Sequence, residues 1–243
     1  MIDSENNPGK FSTPNMQGNP VTTEYHGRLI QVGAGAVTRD GILTYPPDAH
    51  GIVVLAHGLQ NIDQNPHQNA LALADILYQN RLATLHIDLF NSEERKLDDE
   101  TAYFRENIEI MQQRLIGIAD WLLENPETQN LSVGFFGNGV VGAAGLIAAA
   151  ERPDAIAAVV SAGGRADMAR DYLPRVSAPV LLIAAEKDEA VVKANQDALN
   201  LLISQKQFER VAGATSLFED QRSVDEMARL AGQWLSRWLV PIM

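Results

Sequence analysis

The chain has 243 residues, of which 46% are hydrophobic and none is cysteine. That is enough apolar material for one large α/β core without disulfide or metal support, and it excludes a cysteine nucleophile, a thiolate metal site and a disulfide framework. Nineteen basic against 31 acidic residues leave a net charge of −12, which repels polyanions and argues against a nucleic-acid partner.

Residues 1–20 are rich in Asn, Pro, Gly and Ser, have no apolar period, and read as a flexible tail. They also lack the basic and apolar halves of a secretory leader. The longest strongly apolar stretch, Val140 to Ala150, is far short of the ~20 residues that span a bilayer. The expectation is a cytoplasmic protein without a membrane segment.

Residues 21–243 read as one domain. It opens with two strands, Arg28 to Val32 and Val37 to Thr44, around a glycine-rich turn at Gly33 to Gly35. Gly51 to Ala56 is a short apolar run of the buried-strand type. A helix is expected over Asn69 to Gln79 and a second buried strand over Ala83 to Leu89. Asn91 to Glu100 is a charged connection and reads as a solvated loop. Phe104, Ile108, Met111, Leu115, Ile118 and Leu122 then fall on one helical face, which Asn125-Pro126 stops.

Leu131 to Phe136 is the next strand, and Gly139 to Ala150 a helix of very small residues. Strands follow at Ile156 to Val160 and Pro179 to Ala184, a helix at Ala190 to Ile203, and a short strand at Phe208 to Val211. Val224, Met227, Leu230, Trp234 and Trp238 form the stripe of a C-terminal helix, with both tryptophans expected in the core. An antiparallel start followed by repeated strand–helix units predicts a mostly parallel sheet with helices on both faces. In such sheets ligands bind beyond the carboxyl ends of the strands.

The sharpest local feature is Gly137-Asn138-Gly139-Val140-Val141-Gly142, between a strand and the small-residue helix. It has the place and shape of a nucleophile elbow, whose Gly-x-Ser-x-Gly presents a serine on a strained strand-to-helix turn. The central residue here is Gly139, which has no hydroxyl to attack a carbonyl.

The segments Ala56 to Gly58 (AHG), ATLHIDLF, GFFGNGVVGAAGL, AVVSAGGRADMA, APVLLIAAEKDEAVVKAN and GATSLFED carry a wider likeness. From about Gly51 to Leu239 the chain resembles the dienelactone-hydrolase-like α/β-hydrolases, in particular a bacterial branch often fused to a phosphoribosyltransferase domain. The resemblance implies the α/β-hydrolase fold and a serine–acid–histidine triad. The serine falls on Gly139, the acid on Asp188 and the histidine on Ser216. Only the acid is kept. Without a histidine to take and return the proton, the triad has no general base. The loop after AHG departs as well. Where the family tends to carry arginines, this chain has Asp63 and His67, so a pocket built for an anion is not expected.

Three readings follow. In the first, the chain keeps the fold without serine-hydrolase chemistry and binds a small molecule or a protein partner, using His57, Gly58, Leu59, His67, Asn138, Val140, Ser161 and Arg165 to line the cleft. In the second, it is an active hydrolase of esters or lactones, with His57 or His67 as a relocated base near Ser161, Thr215 or Ser216. The third is a structural or oligomeric role, which exposed tryptophans on the last helix would support. None calls for a cofactor. Asp63, Asp88, Glu186 and Asp188 match no metal-loop spacing. Asp188 reads more readily as a helix N-terminal carboxylate than as a relic acid. His57 opens the turn near which an oxyanion would bind, and His86 reads as a packed core histidine.

Overall fold

A computed structural model describes residues 13–14, 20–21, 27–59, 66–215, 218 and 220–241, with side chains over 13–14, 20–21 and 66–71 left out. Most of the expected tail, Asp63, Ser216 and the side chain of His67 lie outside these residues.

Thr13–Pro14 (β1) and Pro20–Val21 (β2) form a two-residue antiparallel bridge. The main sheet has eight strands: Arg28–Ala34 (β3), Val37–Thr44 (β4), Gly51–His57 (β5), Leu82–Asp88 (β6), Ser132–Asn138 (β7), Ala158–Ala162 (β8), Val180–Ala185 (β9) and Lys206–Val211 (β10). Their order across the sheet is β10-β9-β8-β7-β5-β6-β4-β3. The six strands from β10 to β6 run parallel, and β4 and β3 add antiparallel at one side. This is the α/β-hydrolase fold.

The strands form because short apolar runs are flanked by residues that stop them. β5 and β9 are buried along almost their whole length, as parallel strands covered on both faces must be. Side-chain alternation divides the core into two layers. Ile52, Val54 and Ala56 of β5 face one way, with Ile108–Glu124 (α3), Gly139–Glu151 (α4) and Glu189–Leu201 (α5) packed over that side. Val53 and Leu55 face the other, beneath Pro66–Gln79 (α1) and Gln221–Trp238 (α6). Trp234 belongs to this second core at 6% exposure, and Trp238 is half-buried against it, as the apolar stripe predicts.

Four details differ from the sequence expectation. The opening hairpin turns at Gly35-Ala36, at the end of the expected Gly33 to Gly35 turn, because β3 continues through Ala34. Helix α1 begins at Pro66, a favourable first-turn residue with no amide to satisfy. Phe104 precedes α3 instead of starting it, and packs beside Phe90 with ring centroids 5.3 Å apart.

The largest difference is at residues 91–100. The expected solvated loop is a helix, Ser92–Thr101 (α2), with a reciprocal capping box between Asn91 and Glu94. Two of its carboxylates point inward. Asp98 is buried and accepts from the Phe104 and Arg105 backbone amides at 2.7 and 2.9 Å, and from Arg105 Nε at 2.6 Å. Glu94 joins Arg39 of β4 to Arg114 of α3.

The β3–β4 turn packs closely against α3. Gly35 sits at φ +66°, and a Cβ placed on Gly117 would lie 1.8 Å from the Gly35 nitrogen. Gly117→Ala therefore has to push the turn off the helix. The expected loss is about 1–3 kcal/mol, typical of an overpacked site, and urea unfolding of the variant against the parent chain measures it.

Candidate functional site

The strand order reverses between β5 and β7, which is where an open parallel sheet leaves a crevice at its carboxyl edge. Pairing of Ala56 with Gly137 sets the ends of these two strands side by side. The structure thus brings together His57, Gly58 and Leu59 from one loop and Asn138, Gly139 and Val140 from the next. The loops touch, since a Cβ on Gly58 would meet the Val141 side chain at 2.7 Å.

Gly139 is the turning residue. It follows β7 directly, starts α4 and has φ +56°, the left-handed conformation that a non-glycine residue adopts only under strain. The nearby Gly137 and Gly142 are glycines for a packing reason. A Cβ on Gly137 would lie 2.9 Å from the Gly142 nitrogen, so strand and helix could not approach as they do. The strand–turn–helix backbone of an elbow is therefore present, with Gly139 at its turn. Asn138 makes no side-chain cap to α4, and no acidic residue stands in that helix's first turn. The N-terminal amides of α4 thus keep their partial positive charge at the crevice.

Ser161 is not a lining residue. It lies inside β8, fully buried, and its side chain packs where Cβ atoms on Gly142 and Gly164 would be, 2.2 and 2.0 Å from its Oγ. The strand runs two residues further than the apolar pattern indicates, which carries Ser161 under the elbow instead of to the rim. Arg165 does stand beyond the strand end and is exposed. It pairs with Asp167 at 2.7 and 2.8 Å. Those bonds raise the Arg165 pKa, with a smaller contribution from the charge of Asp188.

Asp188 caps α5. Its carboxylate accepts from the Val191 amide at 3.1 Å, as an N-cap carboxylate does. Beside it, Asn195 donates to the Gly164 carbonyl at 2.9 Å and to Val191 at 2.8 Å, pinning the loop after β8. Asp188→Ala is expected to lower stability by about 1 kcal/mol, the usual worth of an N-cap carboxylate, read as a small drop in melting temperature.

Two of the other carboxylates considered as a metal group, Asp88 and Glu186, are occupied separately. Asp88 pairs with Arg95 at 3.0 Å, and Glu186 accepts from the Gly213 amide at 2.8 Å. Among the described residues no three His, Cys, Asp or Glu side chains are grouped to hold a metal. No helix among them is long and apolar enough to cross a membrane.

One pairing has no signal in the sequence. His86 is half-buried rather than packed in the core, and its Nε2 contacts Nε2 of His57, with ring centroids 4.4 Å apart. Only the lateral alignment of β5 with β6 brings the two rings together.

Over residues 47–220 the chain matches the dienelactone hydrolase family, and it belongs to that family. The solved structure of a dienelactone hydrolase from Anabaena variabilis ATCC 29413 is similar to it, with 41% identity and a TM-score of 0.83 over 88% of this chain and 98% of the other. Est1E from Butyrivibrio proteoclasticus shares the fold, with a TM-score of 0.67 at 12% identity over 86% of this chain and 99% of that one. Two Mycobacterium tuberculosis proteins, from strains CDC 1551 and H37Rv, are 39% identical over 84% of the chain, and both are named "Putative phosphoribosyl transferase". The chain spans 45% of the length of these two proteins.

Proposed function

We propose that this dienelactone-hydrolase-family chain does no serine-hydrolase chemistry and uses the crevice between β5 and β7 to bind a small molecule or a protein partner. The observation that carries the reading is Gly139 at the turn of the elbow, at φ +56° and without a hydroxyl. Two further facts support it. The acid-type residue Asp188 serves as a helix cap, and position 216 is serine rather than histidine. A hydrolase triad needs a nucleophile and a base, and neither residue type stands at its place. What the strand ends offer for recognition is the backbone amides at the start of α4 and the loops His57 to Leu59 and Asn138 to Val140.

Phosphoribosyl transfer is not carried over from the Mycobacterium proteins, because the chain spans less than half of them and matches the dienelactone hydrolase family within its own length. The test is turnover of chromogenic esters, lactones and thioesters by the purified chain, each run against a buffer blank. No turnover is expected. Turnover that co-purifies with the chain, and is lost in His57→Ala, would replace this reading by that of an active hydrolase with a relocated base.

A further inference from the structure

The contact between His57 and His86 is independent of the elbow. β5 and β6 are neighbouring parallel strands in which Leu55 pairs with His86 and His57 with Asp88. Residues two apart on a strand share a face, so His57, His86 and Asp88 all point to the side covered by α1 and α6. The histidines occupy diagonal positions there. Both rings are half-buried, tilted 54° to one another, and meet through their Nε2 atoms.

Two neutral imidazoles in this arrangement can hold only one proton between their Nε2 atoms, one ring donating and the other accepting. A metal ion can take the place of that proton, since both nitrogens then act as lone-pair donors. We propose that His57 and His86 form a two-histidine site for a divalent transition-metal ion of the Zn²⁺ or Cu²⁺ type.

The geometry favours this in three ways. First, both strands lie within the sheet and fix the backbone at each ligand. Two metal–nitrogen bonds of about 2.0–2.1 Å at a tetrahedral angle need the nitrogens roughly 3.3 Å apart, a separation that small side-chain rotations reach. Second, imidazole selects zinc, copper or nickel over magnesium and calcium, which prefer oxygen donors. Third, a chain of net charge −12 draws cations toward its surface, and Asp88 adds a carboxylate on the same face, although Arg95 already engages it. Among the described residues no third His, Cys, Asp or Glu side chain completes the group, so the two imidazoles are the ligands on which the proposal stands. The proposal holds whether or not the elbow proves inert.

Isothermal titration of the full chain with Zn²⁺ at pH 7.5, alongside Mg²⁺, tests it. The expected result is one saturable Zn²⁺ site and none for Mg²⁺. His57→Ala and His86→Ala should each weaken the site by at least what loss of an outer-shell partner does, roughly 10–100-fold, while His50→Ala leaves it unchanged.

If either variant fails to fold, nitrogen-detected NMR of histidine-labelled parent chain replaces it. Zn²⁺ should then shift Nε2 of His57 and His86 together. The absence of a saturable site, undiminished binding in both folded variants, or Zn²⁺ shifts confined to other histidines would each overturn the proposal and leave a plain imidazole–imidazole hydrogen bond.

Discussion

Glu94→Ala is expected to lower stability by about 3 kcal/mol, near the lower end of what breaking a buried ion pair costs. The carboxylate sits between two guanidinium groups, accepting from Arg39 at 2.7 Å and from Arg114 at 2.6 Å. Arg39 Nε also donates to the Leu89 carbonyl at 3.0 Å, and Arg114 Nη1 donates to the same oxygen. The Arg114 guanidinium lies over the Phe90 ring, 4.6 Å from its centroid. Both arginine side chains are less than a tenth exposed, and Glu94 is 18% exposed. Removing the carboxylate leaves two cations facing each other with one carbonyl between them. For a chain of this length the loss corresponds to a melting-temperature drop of roughly 6–12 °C, at about 2–4 °C per kcal/mol.

The effect has a pH signature. Burial alone raises the Glu94 pKa, but hydrogen bonds from Arg114 and the Asn91 amide, together with the charges of Arg114 and Arg39, outweigh it and hold the carboxyl below its ordinary 4.5. A depressed folded-state pKa contributes stability that is complete above the unfolded value and is lost as the pH falls through the folded one. The gap in melting temperature between parent and Glu94→Ala should therefore be full at neutral pH and narrow below about 4.5. Asp98 acts in the same direction. Its pKa is also lowered, with hydrogen bonds from Arg105 and Phe104 outweighing burial. It is intact in both chains and does not contribute to the difference. A gap independent of pH would mean that Glu94 acts through packing and not through charge.

That this network lay hidden in a segment that reads as a solvated loop shows where sequence patterns stop. α2 has no apolar stripe, so hydrophobic periodicity cannot find it. Its one local signature is Asn91 followed three residues later by Glu94, the capping-box spacing. The partners Arg39 and Arg114 come from β4 and α3, distances along the chain that no local window joins. The parallel strands were legible because their apolar runs are short and bounded. The elbow was legible because its glycines report steric contacts that hold in any fold placing that helix on that strand. Ser161 was misplaced by a two-residue error in the end of β8, enough to turn a rim residue into a buried one. The His57–His86 contact depends on register between β5 and β6, which side-chain chemistry does not encode.

The second large effect is a gain of activity. Gly139→Ser together with Ser216→His is expected to hydrolyse activated esters at a rate well above both the natural chain and either single variant. The elbow backbone already holds position 139 at φ +56°, between a strand end and a helix N-terminus. A serine placed there projects at the crevice, where the first amides of α4 can stabilise a developing oxyanion. The backbone conformation is free for glycine and strained for serine, so the variant should lose about 1–3 kcal/mol of stability. That loss is itself a check that the residue is held in the elbow conformation.

Serine alone lacks a base and histidine alone lacks a nucleophile. Because triad members act as a unit, the single variants should remain close to background and the double variant should not equal their sum. Asp188 then faces competing demands, since the carboxylate that would orient the new histidine already accepts from the Val191 amide. A rate limited by that competition should fall little further in the Asp188→Asn form of the double variant, whereas a restored working triad should lose most of its activity there. Initial rates on a chromogenic acetate ester for the natural chain, both single variants and the double variant decide the matter. Turnover by the natural chain equal to that of the double variant would remove the ground for treating Gly139 as the residue that silences the site.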